Sequence, residues 1–295
     1  MKRIFIIAFH FLILATASIN ASDIKHVVVI GCDGFGAYAY HKADMPNLKN
    51  LASQGAWSVK SRSVLPSSSA VNWASILMSA SPTIHGYTEW GSQTPEIPSA
   101  VISQYGKFPS IYTILKEQKP EAKTAAIYSW QGIEHLLEKE IIDYLIPTKS
   151  NEDLTADTAA YIIKNHKPAF TFIHFDEPDH TGHKIGHDTP EYYEMLKKVD
   201  ERIGRIVQAV KDAGIASQTV IMVVADHGGI DKGHGKKSMQ EVEIPIVVHG
   251  PGIKKGHEIE GVIVDYDYAA TIAKIFGLQC PQAWRGKAID DAFEK

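Results

Sequence analysis

Short β-branched runs alternate along the chain with stretches in which apolar residues recur every three or four positions. The clearest runs cover 26–32, 123–128, 169–175, 219–225 and 244–249. Their hydrophobicity is continuous rather than alternating, which predicts strands buried on both faces. Over 189–213, Tyr192, Leu196, Val199, Ile203, Ile206 and Val210 follow one another at intervals of three or four. That spacing predicts a long helix with one apolar stripe laid on a sheet, and Gly214 supplies its stop. Further helices are predicted over 46–53, 69–79, 109–117, 153–166 and 266–276. Strand and helix in alternation predict an α/β fold, a mainly parallel sheet flanked by helices. The chain has 295 residues and shows no internal repeat, low-complexity tract or linker-like change of composition. It reads as one domain.

Composition narrows the function. Apolar residues make up 44% and charged residues 22%, close to a globular average and far from disordered or collagen-like chains. A formal net charge of −4 argues against a broad basic surface for nucleic acid, but not against cleavage of a phosphodiester in a metal-lined pocket. Lys2 and Arg3, the apolar stretch 4–14 and the small residues after it have the three-part pattern of a secretory signal. Cleavage after Ala17 or Ala21 fits. The stretch is too short for a bilayer anchor. The expectation is a signal over 1–21 and an exported domain over 22–295, soluble in the periplasm or secreted, with no transmembrane segment. Cys32 and Cys280 do not make a disulfide scaffold, and Cys32, closing a hydrophobic run, reads as a buried thiol rather than half of a bridge.

Chemistry in an open parallel sheet gathers beyond the carboxyl ends of its strands. Three predicted strands end in metal-ligating residue types: Gly31-Cys32-Asp33-Gly34, then Asp176-Glu177-Pro178-Asp179-His180-Thr181-Gly182-His183, then Asp226-His227-Gly228-Gly229. Any one alone would pass for a polar turn. Their coincidence at successive strand ends points to a metal site. Mixed histidine and carboxylate favour zinc over magnesium or calcium. Asp179 and His183, four residues apart, face one ion if the segment turns helically. Asp226 and His227 offer two ligands from one strand end, and His234 follows in a Gly-His-Gly loop able to fold back. His174, within a strand, reads as a hydrogen-bonded core residue; His180, His187, His249 and His257 read as bystanders or outer groups.

Pro66-Ser67-Ser68-Ser69-Ala70-Val71-Asn72 leads into a helix, whose positive end suits a hydroxyl that must hold an anion. A plain serine cap is the alternative for any one of the three serines. Nearby zinc shifts the balance, because a coordinated hydroxyl ionises near neutral pH.

With these segments together, the chain resembles the alkaline phosphatase superfamily, in its type I phosphodiesterase and nucleotide pyrophosphatase branch. The likeness runs from Asp33 almost to the C-terminus, with Glu177 to His183 as its most specific motif. It implies an alkaline phosphatase-like fold and Ser69 as nucleophile. It implies two Zn2+, one held by Asp33, Ser69, Asp226 and His227, the other by Asp179, His183 and a later histidine, for which His234 is the candidate. The branch commonly has threonine as nucleophile. Its nucleotide-cleaving members often carry an aromatic where this chain has Ala70, which weakens the expectation of a nucleotide. The context of Ser69 lacks the sulfatase pattern.

The resulting expectation is an enzyme that cleaves phosphodiester or pyrophosphate bonds of a small phosphate ester through a phosphoseryl intermediate. Asn72 and a backbone N–H would hold a non-bridging oxygen. No Arg or Lys lies between Arg62 and Lys107, and a neutral Asn72 suits the single charge of a diester. Lys184 or Lys232 reaching in would favour the alternative, a phosphomonoesterase on the same site. A second alternative is an exported metal- or phosphate-binding protein without turnover, against which an ionisable Ser69 between the ligand sets argues.

Overall fold

The five continuous hydrophobic runs are the core of one eight-stranded sheet. The computed structural model describes residues 24–295, so the expected signal lies outside the described residues. The strands are β1 (His26–Cys32), β2 (Ala56–Arg62), β3 (Thr124–Tyr128), β4 (Tyr144–Pro147), β5 (Phe170–Phe175), β6 (Thr219–Val224), β7 (Glu243–His249) and β8 (His257–Glu258), in spatial order β4-β3-β5-β1-β6-β7-β2-β8. Neighbours pair in parallel except around β7, which runs antiparallel to β6 and β2. β5, β1 and β6 are therefore adjacent and end side by side, and every residue of β5 and β6 is buried.

The expected helices form as α1 (Pro46–Ser53), α2 (Ser69–Met78), α4 (Ile111–Gln118), α5 (Glu152–His166), α7 (Pro190–Asp212) and α9 (Asp267–Phe276), with one-turn helices α3 (Pro82–His85), α6 (Asp179–Lys184) and α8 (Met239–Val242) added. All six residues of the α7 stripe are buried. Each such side chain contributes roughly 1.5–3 kcal/mol by leaving water. α7 packs with α1 and α5, while α2 packs with α3 and α9, so that helices flank the sheet. Thr189 caps α7 by accepting from the Tyr192 N–H, and Pro190 opens it. Both cysteines are free thiols, Cys32 buried and Cys280 exposed. Among the described residues, no helix is long and apolar enough to cross a membrane.

Candidate active site

The ends of β1, β5 and β6 bring their acidic residues to one place, and α2 delivers Ser69 to it. Two glycines make this approach physical. A side chain on Gly31 would meet the Trp73 ring at 2.5 Å, and one on Gly34, whose φ is +68°, would meet Asp179 at 2.6 Å. Ser69 and Trp73, one helical turn apart on α2, both reach Asp33: Ser69 Oγ lies 3.4 Å from Asp33 Oδ1, and Trp73 Nε1 donates to Asp33 Oδ2 at 2.9 Å. His174 of β5 holds the same Oδ2 at 3.0 Å. Asp33 is thereby fixed with Oδ1 toward the serine.

His227 closes this first group. Its Nε2 is 3.2 Å from Ser69 Oγ, 3.4 Å from Asp33 Oδ1 and 3.3 Å from Asp226 Oδ2. Asp226 is steadied by the Gly34 N–H at 3.1 Å. The second group lies beside it. His183 Nε2 stands 3.1 Å from Asp179 Oδ2 and 3.0 Å from His234 Nε2, and His234 Nε2 is 3.7 Å from Asp179 Oδ2. Glu177 fixes the short α6 that carries this pair by accepting from the Thr181 N–H at 3.0 Å. His234 arrives by the return of its loop: Gly228 N–H donates to Glu241 O, Gly235 N–H donates to Ser67 Oγ, and Ser67 Oγ donates to Lys236 O. The rings of His227 and His234 stack at 3.8 Å and 19°.

The protonation pattern tests whether cations fit. His227, His183 and His234 each meet a backbone carbonyl through Nδ1, of Gly228 at 2.8 Å, Lys232 at 3.0 Å and Ser67 at 2.9 Å. A carbonyl only accepts, so each Nδ1 carries a proton, and each imidazole, when neutral, turns an Nε2 lone pair inward for a cation, although without one His183 also takes up a proton on Nε2 toward Asp179. Those lone pairs face one another and the buried carboxylates Asp33, Asp179 and Asp226, while Asp179 Oδ1 and Asp226 Oδ2 have no hydrogen-bond partner. Such a concentration of acceptors calls for cations, and backbone carbonyls on Nδ1 are how proteins aim histidine ligands. The atoms of Asp33, Asp226 and His227, and of Asp179, His227 and His234, lie close enough to share an ion. Mixed N and O donors suit zinc or a similar transition metal.

The electrostatics report the same crowding. Burial, then the charges of Asp33 and Asp179, push the Asp226 carboxyl well above its usual range. Burial also acts upward on Asp179, but the hydrogen bond from His183 and the facing histidines hold it far below. Asp179 in turn raises His183 to about 9, whereas burial lowers His234 to about 4.

The structure brings together Asp33, Ser69, Asp179, His183, Asp226, His227 and His234. Asn72 is engaged with the backbone beside it. That side chain is fully buried; its Oδ1 accepts from the Val64 N–H at 2.8 Å and its Nδ2 donates to the Pro66 and Ser68 carbonyls at 3.1 and 2.9 Å. With both donors of the amide and its oxygen engaged on the loop before α2, Asn72 anchors the serine segment. The Ala70 N–H is likewise taken, by the Trp90 carbonyl at 3.3 Å. Lys232 gives its ammonium to the Lys184 carbonyl. His249 bonds the Gln54 carbonyl and His257 bonds Asp291, while His180 is exposed. His187, read as a bystander, packs buried between Gly182 and Gly229 with Nε2 3.5 Å from Asp179 Oδ1. Sequence reasoning missed Trp73, although its place four residues after Ser69 carried the signal.

The family model of type I phosphodiesterase / nucleotide pyrophosphatase matches residues 27–240. Bis(5'-adenosyl)-triphosphatase ENPP4 of Pongo abelii and of Homo sapiens are each 24% identical over 239 residues, 77% of this chain and 53% of theirs. The chain thus spans about half the length of these curated relatives. Arylsulfatase K of Xenopus laevis is 33% identical over 103 residues, 33% of this chain and 19% of that one. Among solved structures, human ectonucleotide pyrophosphatase / phosphodiesterase 5 superposes with a TM-score of 0.75 at 13% identity, and the inactive murine protein in complex with AMP with 0.73 at 15%; each covers 92% of this chain and 100% of the other. At such identities the likeness concerns the fold.

Proposed function

The chain belongs to the type I phosphodiesterase / nucleotide pyrophosphatase family, and from that premise we propose that it is a dinuclear-zinc hydrolase of phosphodiester or pyrophosphate bonds that works through Ser69. The observation that carries this reading is the placing of Ser69 Oγ, the first residue of α2, within 3.4 Å of both Asp33 and His227. Asp33, Asp226 and His227, with Ser69, would hold one zinc, and Asp179, His183 and His234 the other. Bound there, the two cations would ionise the Ser69 hydroxyl and neutralise the oxygen that leaves.

Ser69 Oγ attacks phosphorus in line; the Oγ–P bond forms, the bond to the leaving oxygen breaks, and the alcohol or phosphate departs. Water then attacks the phosphoserine, returning the Ser69 hydroxyl and releasing the phosphate product. The positive end of α2 faces the charge that develops on phosphorus. Trp73 and His174 keep Asp33 oriented through both steps. A diester is favoured because Lys232 is turned to a backbone carbonyl and the stretch 63–106 carries no lysine or arginine. The leader-like pattern over 1–21 supports an exported setting.

The test is turnover of p-nitrophenyl phosphate and methyl p-nitrophenyl phosphate by the zinc-loaded protein and by Ser69→Ala. The expected result is preference for the diester and loss of at least about a thousandfold in kcat in the variant, with zinc content kept. Near-normal turnover by Ser69→Ala removes the covalent route, and a tenfold preference for the monoester reassigns the protein as a phosphomonoesterase.

A further inference from the structure

Trp90 is 57% exposed, an unusual place for an indole that the chain holds firmly. It lines a cavity of about 400 Å³ together with Ser68, His183, Gly233 and His234. Two of these are candidate metal ligands and a third precedes the nucleophile, so the ring borders the reaction centre itself. Its backbone carbonyl accepts from the Ala70 N–H, which ties the indole to the residue after Ser69. The turn that carries it is fixed from within, because Glu96 Oε2 accepts from Thr88 N at 2.7 Å, Thr88 Oγ1 at 3.2 Å and Ser92 Oγ at 2.9 Å. Behind it stands Trp130, ring to ring at 6.2 Å and 34°.

We propose that Trp90 is a specificity-determining residue, a stacking platform for a planar aromatic group carried by the phosphate ester. This rests on the hydrolase reading for the identity of the bound phosphate, and it adds the class of substituent. A large apolar ring left in water gains by covering a π-face, and a platform whose backbone is already fixed loses little entropy on binding. Ala70, the residue after Ser69, carries no ring, and the indole lining this cavity is that of Trp90. The planar group is a nucleobase or another aryl ester, and these share the chemistry that Trp90 recognises.

Binding of AMP, phenyl phosphate and ribose 5-phosphate to the zinc-loaded protein, measured calorimetrically for the unaltered chain, Trp90→Ala and Trp90→Phe, separates the cases. The expected result is that Trp90→Ala lowers the AMP affinity about tenfold relative to that for ribose 5-phosphate, and that Trp90→Phe restores most of it. A matching loss for phenyl phosphate extends the platform to aryl esters in general; retention of phenyl phosphate confines it to the nucleobase. Equal losses for all three ligands, or no loss for AMP, overturn the proposal. Binding is read without turnover. A protein that binds AMP through Trp90 yet cleaves neither nitrophenyl ester refutes the hydrolase reading alone, and cleavage with unchanged AMP affinity in Trp90→Ala refutes the platform alone.

Discussion

Asp226→Asn should stabilise the metal-free protein and reduce the stability that zinc adds to it. In the metal-free chain Asp226 is fully buried with Oδ2 unpartnered, beside Asp33 and Asp179, and its carboxyl is pushed up by burial and then by those two charges. A carboxyl that binds its proton more tightly when folded leaves the fold most stable below its unfolded pKa of about 3.9, and stability declines as pH rises toward the folded value. The slope between the two values is at most about 1.4 kcal/mol per pH unit. Asparagine has no charge to lose. Its Oδ1 keeps the Gly34 N–H bond, and its Nδ2 takes the place of an oxygen that sits 3.3 Å from the His227 Nε2 lone pair. Asp176, raised to about 7, and His187 and His234, lowered to about 4, titrate across the same window, but they do so in parent and variant alike, so the comparison is between the two proteins at each pH. Asp179, held low, contributes stability already present above its unfolded pKa and lost only as pH falls; His183, raised to about 9, gives up its contribution as pH rises from about 6.5 through that value. Metal-free Asp226→Asn should therefore melt above the unaltered chain at about pH 6, by about 2–4 °C for each kcal/mol, with the gap closing toward pH 4. Zinc at a hundred times its dissociation constant adds about 2.7 kcal/mol to the unaltered chain and less to the variant, which narrows the gap. Thermal melts with and without chelator read all four states. A variant no more stable than the parent without metal, or one that gains as much from zinc, would refute the crowded-carboxylate account.

His234→Ala should lower bound zinc from two ions to about one per chain by elemental analysis, since two protein ligands fall below the usual three of a catalytic site. His249→Ala and His257→Ala, whose rings are engaged with Gln54 and Asp291, should keep both ions, and metal loss in either instead would displace His234. Asn72→Ala should destabilise by about 2–4 kcal/mol through the buried partners it strands while the folded fraction keeps its turnover; a large fall in kcat with an unchanged melting temperature would return Asn72 to the reaction.

The elements most visible in the sequence were those with unbroken apolar character. β1, β5 and β6 match their predicted spans to within a residue, because buried parallel strands need hydrophobic residues on both faces. β2 was illegible for the opposite reason. Ser58 and Ser61 occupy its buried positions, its register shifts between them, and it lies near the sheet edge, where Lys60 and Arg62 point to water. β4 and β8 are short and peripheral. The carboxylates and histidines of the site could be singled out because strand ends converge. The backbone partners of Asn72 were not legible, because an amide near a nucleophile looks the same in sequence whether it faces substrate or backbone, and the loop 64–68 that supplies those partners is a tertiary feature. Trp90 carried no pattern of its own, since exposure is a tertiary property.

The first group of candidate ligands joins residues far apart in the chain, with Asp33 and Asp226 both addressed by His227 and Asp226 fixed through Gly34. As the polypeptide emerges, β1 through α6 can be made and can pair, yet the binding site does not exist until the return loop past β6 delivers His227 and His234. Metal acquisition is therefore a late act of maturation, and a chain cut before residue 227 would carry the carboxylates of the centre without the means to load it.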